Sequence, residues 1–294
     1  MWLVEAAGTR IVMDPLLGST FHDGVFRTHP VRDIDTDALR PDVIVVTHRH
    51  PDHFDIPSLH ALARRDRTSV VLTSDPLVAS ACRRLGFTHV GVLDVGDVVP
   101  LDGATLTTTP SFCRVVEWGV VVATDDGAGW NQVDTVLKDA DTVRRVWDDV
   151  NGRLGRSGPP ELLVDQWQPL REIEPHIYGR LDFPRSAYQQ ALARAQALDA
   201  GCLIPGAAGH HHTGDASWLN AHAYPVSEAR FLRDLAGLRP ELVTSSAVVG
   251  GVWEVTNGSV VRLAETCDLV TVHEAQDQRQ WAPHQVPVLV GGGD

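Results

Sequence analysis

Four residues able to ligate a metal fall within one short stretch, Thr47-His48-Arg49-His50-Pro51-Asp52-His53. The stretch directly follows Val43-Ile44-Val45-Val46, an unbroken apolar run of the kind a strand buried on both faces requires. In an extended loop His48 and His50, as alternate residues, point the same way. Asp52 and His53 then turn toward a second point close by. One loop can therefore feed two metal ions. Imidazole and carboxylate donors suit Zn, Fe or Mn rather than Mg or Ca alone. The bland alternative is a polar surface loop of unrelated histidines; the spacing, the preceding strand and the acidic member weigh together against it.

The elements that must position this loop can be read along the chain. Residues 1–13 read as a hairpin turning at Ala7-Gly8-Thr9 and ending at Asp14-Pro15. After the metal-ligand loop, the spacing of Ile56, Leu59, Leu62 and Ala63 predicts a helix over 56–65. A strand at 69–73, a helix at 76–85 and strands at 90–93 and 105–108 follow. A further strand at 120–123 runs into Thr124-Asp125-Asp126-Gly127. Residues 131–154 read as one amphipathic segment. Strands at 162–164 and 202–205, helices at 186–198 and 227–238, and a β-rich tail over 243–272 turning at Asn257-Gly258 complete the pattern, and Gly291-Gly292-Gly293 reads as a frayed end. There is no fixed-period repeat and no Pro/Gly/Ser-rich linker. The order suits one α/β domain over residues 1–294, with helices flanking sheets.

Composition narrows the classes. The 294 residues are 43% hydrophobic and 21% charged, as in a globular protein with a sizeable core. A formal charge of −13, from 25 Lys+Arg against 38 Asp+Glu, argues against binding a nucleic-acid backbone or an anionic membrane. No run of about 18 uncharged apolar residues appears, so no spanning helix is expected. Cys82, Cys113, Cys202 and Cys267 are widely spaced and form no CxxC pair, which together with the lack of a signal-peptide pattern leads us to expect a reduced, cytoplasmic protein.

The HxHxDH loop resembles that of the metallo-β-lactamase superfamily. Ile11-Val12-Met13-Asp14-Pro15 is similar to the superfamily's second strand with its terminal Asp-Pro, and Val121 to Gly127 is similar to the strand that delivers a bridging aspartate, here Asp125. The resemblance implies an αββα sandwich of the metallo-β-lactamase type and a dinuclear site. Fold and site do not specify the reaction. The sequence departs from the hydrolases of the superfamily in three ways. The loop Pro110-Ser111-Phe112-Cys113-Arg114-Val115-Val116-Glu117 holds no histidine, so the ligand expected there falls to Glu117 or Cys113. The late-strand position that usually carries the last histidine, counted from Pro205, holds Ala207; histidines come later, as His210-His211-His212. The superfamily also normally has one more strand ahead of the segment that starts at Trp2, so a strand is either replaced from elsewhere or precedes this chain.

A glutamate in place of a histidine hardens the site and resembles the non-heme diiron oxygenase branch of the superfamily, which includes the chloramphenicol-pathway β-hydroxylase, the platensimycin-pathway hydroxylase and CMP-sialic acid hydroxylase-like proteins. That resemblance implies two Fe ions, with His48, His50 and Glu117 on one, Asp52 and His53 on the other, and Asp125 bridging. It implies a monooxygenase of natural product biosynthesis that uses O2 and an external reductase to hydroxylate a small-molecule substrate, carried as a CoA or carrier-protein thioester in one version. The alternative is a dinuclear hydrolase, with two Zn in the same ligands acting on a lactone, phosphodiester or amide. Arg49, Arg114, His210 and His212 are candidates for the substrate pocket, each weighed against an ordinary surface or packing role. Homodimerisation stays open.

Overall fold

The computed structural model describes residues 1–171, 177, 182–206 and 209–273. The chain begins with a hairpin, β1 (Trp2–Ala6) and β2 (Thr9–Met13), closed by Ala7 and Gly8 in left-handed conformations. Short strands β3 (Thr20–Phe21), β4 (Phe26–Thr28) and β5 (Arg32–Ile34) follow, then β6 (Val43–Val46), helix α1 (Ile56–Arg65), β7 (Val70–Thr73), α2 (Pro76–Leu85) and β8 (His89–Val92). The order β1-β2-β6-β7-β8 makes a five-stranded sheet, parallel except for the first hairpin. Such parallel crossovers put helices on a sheet face.

A second sheet is built from β9 (Val98–Leu101), β10 (Ala104–Pro110), β11 (Trp118–Thr124), β12 (Gly127–Asn131), β13 (Leu162–Asp165) and β14 (Cys202–Pro205), in the order β14-β13-β12-β11-β10-β9. Helices α3 (Ala140–Leu154) and α4 (Arg185–Ala195) connect its later strands. Beyond it lie β15 (His210–His212), the short α5 (Asn220–Ala223), α6 (Glu228–Leu238), and β16 (Gly251–Thr256), β17 (Ser259–Thr266) and β18 (Val270–Val272). Strand β15 pairs with β4, and β18 with β5, so late segments return to the loop after β2.

Side-chain alternation explains the layers. Ile11, Met13, Val43 and Val45 face Leu106, Trp118, Val120 and Val122, and these residues form the core between the two sheets. The opposite face of the first sheet, with Val12, Ile44, Val46 and Val71, buries against Leu59, Leu62, Val78 and Cys82 of α1 and α2. On the outer face of the second sheet, Val121, Trp130, Leu163 and Leu203 pack on Val146, Trp147, Tyr188, Leu192 and Phe231 of α3, α4 and α6. This is the αββα sandwich the sequence led us to expect. Residues 131–154 are not one element: the helix starts at Ala140, where Asp139 accepts from the Thr142 backbone N–H as its N-cap, and residues 132–139 are a loop.

Candidate metal centre

The centre is assembled from two loops at one end of the sandwich. The first leaves β6 and is folded back on itself by the His53 and Phe54 N–H groups, which donate to the His50 carbonyl at 3.0 and 2.8 Å. Asp55 ends the loop by capping α1, accepting from the Ser58 N–H. The second loop leaves β12. Its turn is fixed by Asn131 Oδ1, which accepts from the Val133 N–H, and by the Thr135 N–H and hydroxyl on the Gln132 carbonyl. Val133 takes φ 55°, a left-handed conformation costly for a β-branched residue, and the next residue is Asp134.

Two donor groups result. His48, His50 and Asp134 form one, and Asp52, His53 and Asp134 the other; within each, the ligand atoms lie within 4.8 Å of one another. The same Asp134 oxygen, Oδ2, lies 3.1 Å from His53 Nε2 and 3.8 Å from His48 Nε2. Asp52 Oδ2 lies 3.3 Å from His53 Nε2, and His48 Nε2 lies 2.9 Å from His50 Nδ1. Asp134 thus stands between the two groups.

Behind them Asp14 fixes the rings. Its carboxylate accepts from His53 Nδ1 at 2.8 Å and from both the backbone N–H and the hydroxyl of Thr47. The Thr47 hydroxyl, its proton committed to Asp14, accepts from His48 Nδ1 at 3.1 Å. Both rings therefore keep a proton on Nδ1 and turn Nε2 toward Asp134, the orientation a metal-binding imidazole needs. Asp14 reaches the loop because its own φ of 50° bends the chain at the end of β2.

Electrostatics fit the same geometry. Burial, with the neighbouring His53, pushes the His48 pKa down to about 4 despite Asp134 and Asp14, so the ring is neutral at pH 7. Burial also opposes a proton on His53, but Asp52, Asp134 and Asp14 outweigh it and hold its pKa well above the usual imidazole value. Burial would raise Asp52; His53 reverses that and holds the carboxyl well below the usual range. Two carboxylates, Asp52 and Asp134, with the imidazoles of His48, His50 and His53 make a donor set suited to divalent cations, whose binding would require His53 to give up a proton.

The other expected residues are placed differently. Asp125 is exposed in the β11–β12 turn, beside Asp126, whose carboxylate accepts from the Asn257 N–H. The whole of β12, a five-residue strand of roughly 17 Å, separates that turn from Asp134. The carboxylate common to the two donor groups comes instead from the loop that follows the next strand. The loop was hidden in the sequence because residues 131–139 continue the amphipathic pattern of the helix behind them.

Glu117 is buried, and its carboxylate accepts from the Ser111 hydroxyl at 2.5 Å; it belongs to neither donor group. Cys113 Sγ lies 3.5 Å from the same hydroxyl, and burial raises its pKa, so it is a thiol at neutral pH. Arg49 is held at 2.5 Å by Asp75, the N-cap of α2, and Arg114 is exposed. His212 is buried against Phe26, with ring centroids 4.9 Å apart, while its backbone N–H donates to Asn220. His210 comes nearest the centre. Burial lowers its pKa to about 4, Asp52 and Asp134 oppose that shift, and the Tyr224 hydroxyl lies 2.7 Å from its Nδ1. It is not in either donor group. Ala207 lies outside the described residues, as do Gly291 to Gly293.

Comparison with known proteins agrees with this architecture. Residues 9–118 match the model of a β-lactamase superfamily domain. A UPF0173 metal-dependent hydrolase of Methanopyrus kandleri is 26% identical over 129 residues, 43% of this chain and 50% of that protein. Among solved structures, CmlA, a diiron β-hydroxylase from Streptomyces venezuelae, superposes with a TM-score of 0.57 at 18% identity, over 89% of this chain and 52% of that one. An isothiocyanate hydrolase from Delia radicum gut bacteria gives a TM-score of 0.52 at 17% identity, over 90% and 95%. The matches to the curated relative and to CmlA thus span about half of those proteins' lengths. The fold is that of the metallo-β-lactamases, and the proteins that share it here are named a diiron β-hydroxylase and an isothiocyanate hydrolase.

Proposed function

We propose that this metallo-β-lactamase-fold protein is a dinuclear metal-dependent hydrolase. The observation that carries the reading is the pair of donor groups sharing Asp134 Oδ2. One ion would be held by His48, His50 and Asp134, the other by Asp52, His53 and Asp134. A pair of divalent ions supplies a water nucleophile that is active near neutral pH and Lewis-acid polarisation of a scissile carbonyl or phosphoryl group. The chain's own residues do the rest. Asp14 and Thr47 hold the imidazoles in the binding tautomer, and the buried floor around His48 excludes bulk water. The expectation of an oxygenase leaned on Glu117 as a ligand, whereas its carboxylate is engaged by Ser111 outside both groups. The curated relative is named a metal-dependent hydrolase, in line with the hydrolytic reading.

The test is a substrate panel of lactones, phosphodiesters and amides offered to the zinc-loaded protein, with iron plus a reductant under O2 as the comparison. Hydrolysis by the zinc form that is lost in His50→Ala supports the proposal. O2-dependent hydroxylation by the iron form, with no hydrolysis by either form, would overturn it.

A further inference from the structure

Two arginines withdrawn from solvent in this protein face acids: Arg156 faces Glu161, and Arg230 faces Asp234. Arg32, half-buried in β5, does not. Among the described residues its guanidinium makes one hydrogen bond, from Nη2 to the Leu16 carbonyl at 3.2 Å, and no ion pair. Burial alone shifts its pKa, downward, and no carboxylate offsets the shift. A charged group taken from water without a partner is costly, so it calls for an anion from outside the fold.

Its position says where that anion would come from. Leu16 lies two residues beyond Asp14, the residue that orients His53. The nitrogen of Met1 is close enough to feel the charge of Arg32 as well as those of Asp14, Asp52 and Asp134. Arg32 therefore borders the metal centre from the side where β2 ends. In a chain of net charge −13, a local cation is also what an anionic substrate would need in order to approach.

We infer that Arg32 binds an oxyanion, a carboxylate or phosphate carried by the substrate away from its scissile bond. The inference deepens the hydrolase reading and rests on it for the word substrate; the anion site itself does not depend on it. A guanidinium offers five N–H donors in a planar fork that matches two anionic oxygens, and the Leu16 carbonyl takes only one of its nitrogens.

The experiment is calorimetric titration of the zinc-loaded full chain with inorganic phosphate and, separately, acetate, comparing wild type with Arg32→Met and Arg32→Lys at equal zinc content. The metals contribute equally to all three proteins, so the difference isolates Arg32. We expect at least a tenfold weaker dissociation constant in Arg32→Met for one of the two anions and partial retention in Arg32→Lys; the anion that responds identifies carboxylate or phosphate. Arg32→Met should melt no lower than wild type in anion-poor buffer, because it removes a half-buried charge that no carboxylate among the described residues pairs. Equal anion affinity in wild type and Arg32→Met would overturn the inference, as would a lowered melting temperature in Arg32→Met with anion binding intact. If the anion site responds as expected while the substrate panel shows no hydrolysis, the hydrolase reading fails and the anion site stands.

Discussion

At the scale of single residues the centre depends on which nitrogen of each imidazole carries its proton. His48 and His53 both donate Nδ1–H backward, to Thr47 and to Asp14, and those two bonds end on one buried carboxylate. Removing it should do more than delete a hydrogen bond. In Asp14→Ala, His53 loses its acceptor, the Thr47 hydroxyl is free to rotate, and the Thr47 backbone N–H is left buried without its partner. Losing an outer partner of this kind typically weakens metal binding by about 10- to 100-fold. We expect that loss for Asp14→Ala in a zinc competition titration against a chromophoric chelator; unchanged affinity would mean that ring orientation is set elsewhere. Asp14 was visible in the sequence as the end of a strand, but its role was not, because the role depends on a left-handed turn that swings the carboxylate toward a loop 33 residues away.

At the scale of elements, the ends of strands and helices carry the information. Helices α1 and α2 match the ranges expected from the sequence because their signals are local. Asp55 and Asp75 cap them, proline occupies the first turn of each, and Gly86 closes α2 at φ 105°. The loop bearing Asp134 gives no such signal, since its apolar residues Val133 and Leu137 are themselves buried and mimic the periodicity of α3.

A second strand end carries a separate consequence. Asp165 closes β13 on the helix-covered side, and both of its carboxylate oxygens are buried without a hydrogen-bond partner among the described residues. Burial raises its pKa from 3.8 to about 7, with the charge of Arg194 opposing. The unfolded chain releases this proton near pH 4, while the folded chain holds it to about pH 7. The folded state thus binds more protons across that window, and its stability falls as pH rises from 4 to 7, then levels. Asp165→Asn should therefore be more stable than wild type above pH 7, by up to about 4 kcal/mol, with the gap closing toward pH 4. Urea melts across this range test it; a gap that does not change with pH would contradict the assignment.

At the scale of the whole molecule, the sandwich was legible through the resemblance carried by the HxHxDH loop, and the unbroken apolar run of β6 marked a strand buried on both faces, which the structure places between an inter-sheet core and a helix-covered face. The returns of β15 to β4 and of β18 to β5 were not, since three-residue pairings between distant segments leave no periodic trace. The metal-ligand loop was legible for the same reason as the helices: its residues are contiguous. Asp134 was not, because it belongs to the other sheet. The centre thus joins the two halves of the sandwich, with the HxHxDH loop hung from the first sheet and the shared carboxylate from the second. Elemental analysis of the zinc-loaded protein tests this most directly. Wild type and Asp125→Asn should each hold two zinc ions per chain, and Asp134→Asn one or none. An Asp134→Asn protein that keeps both ions while Asp125→Asn loses one would contradict the account.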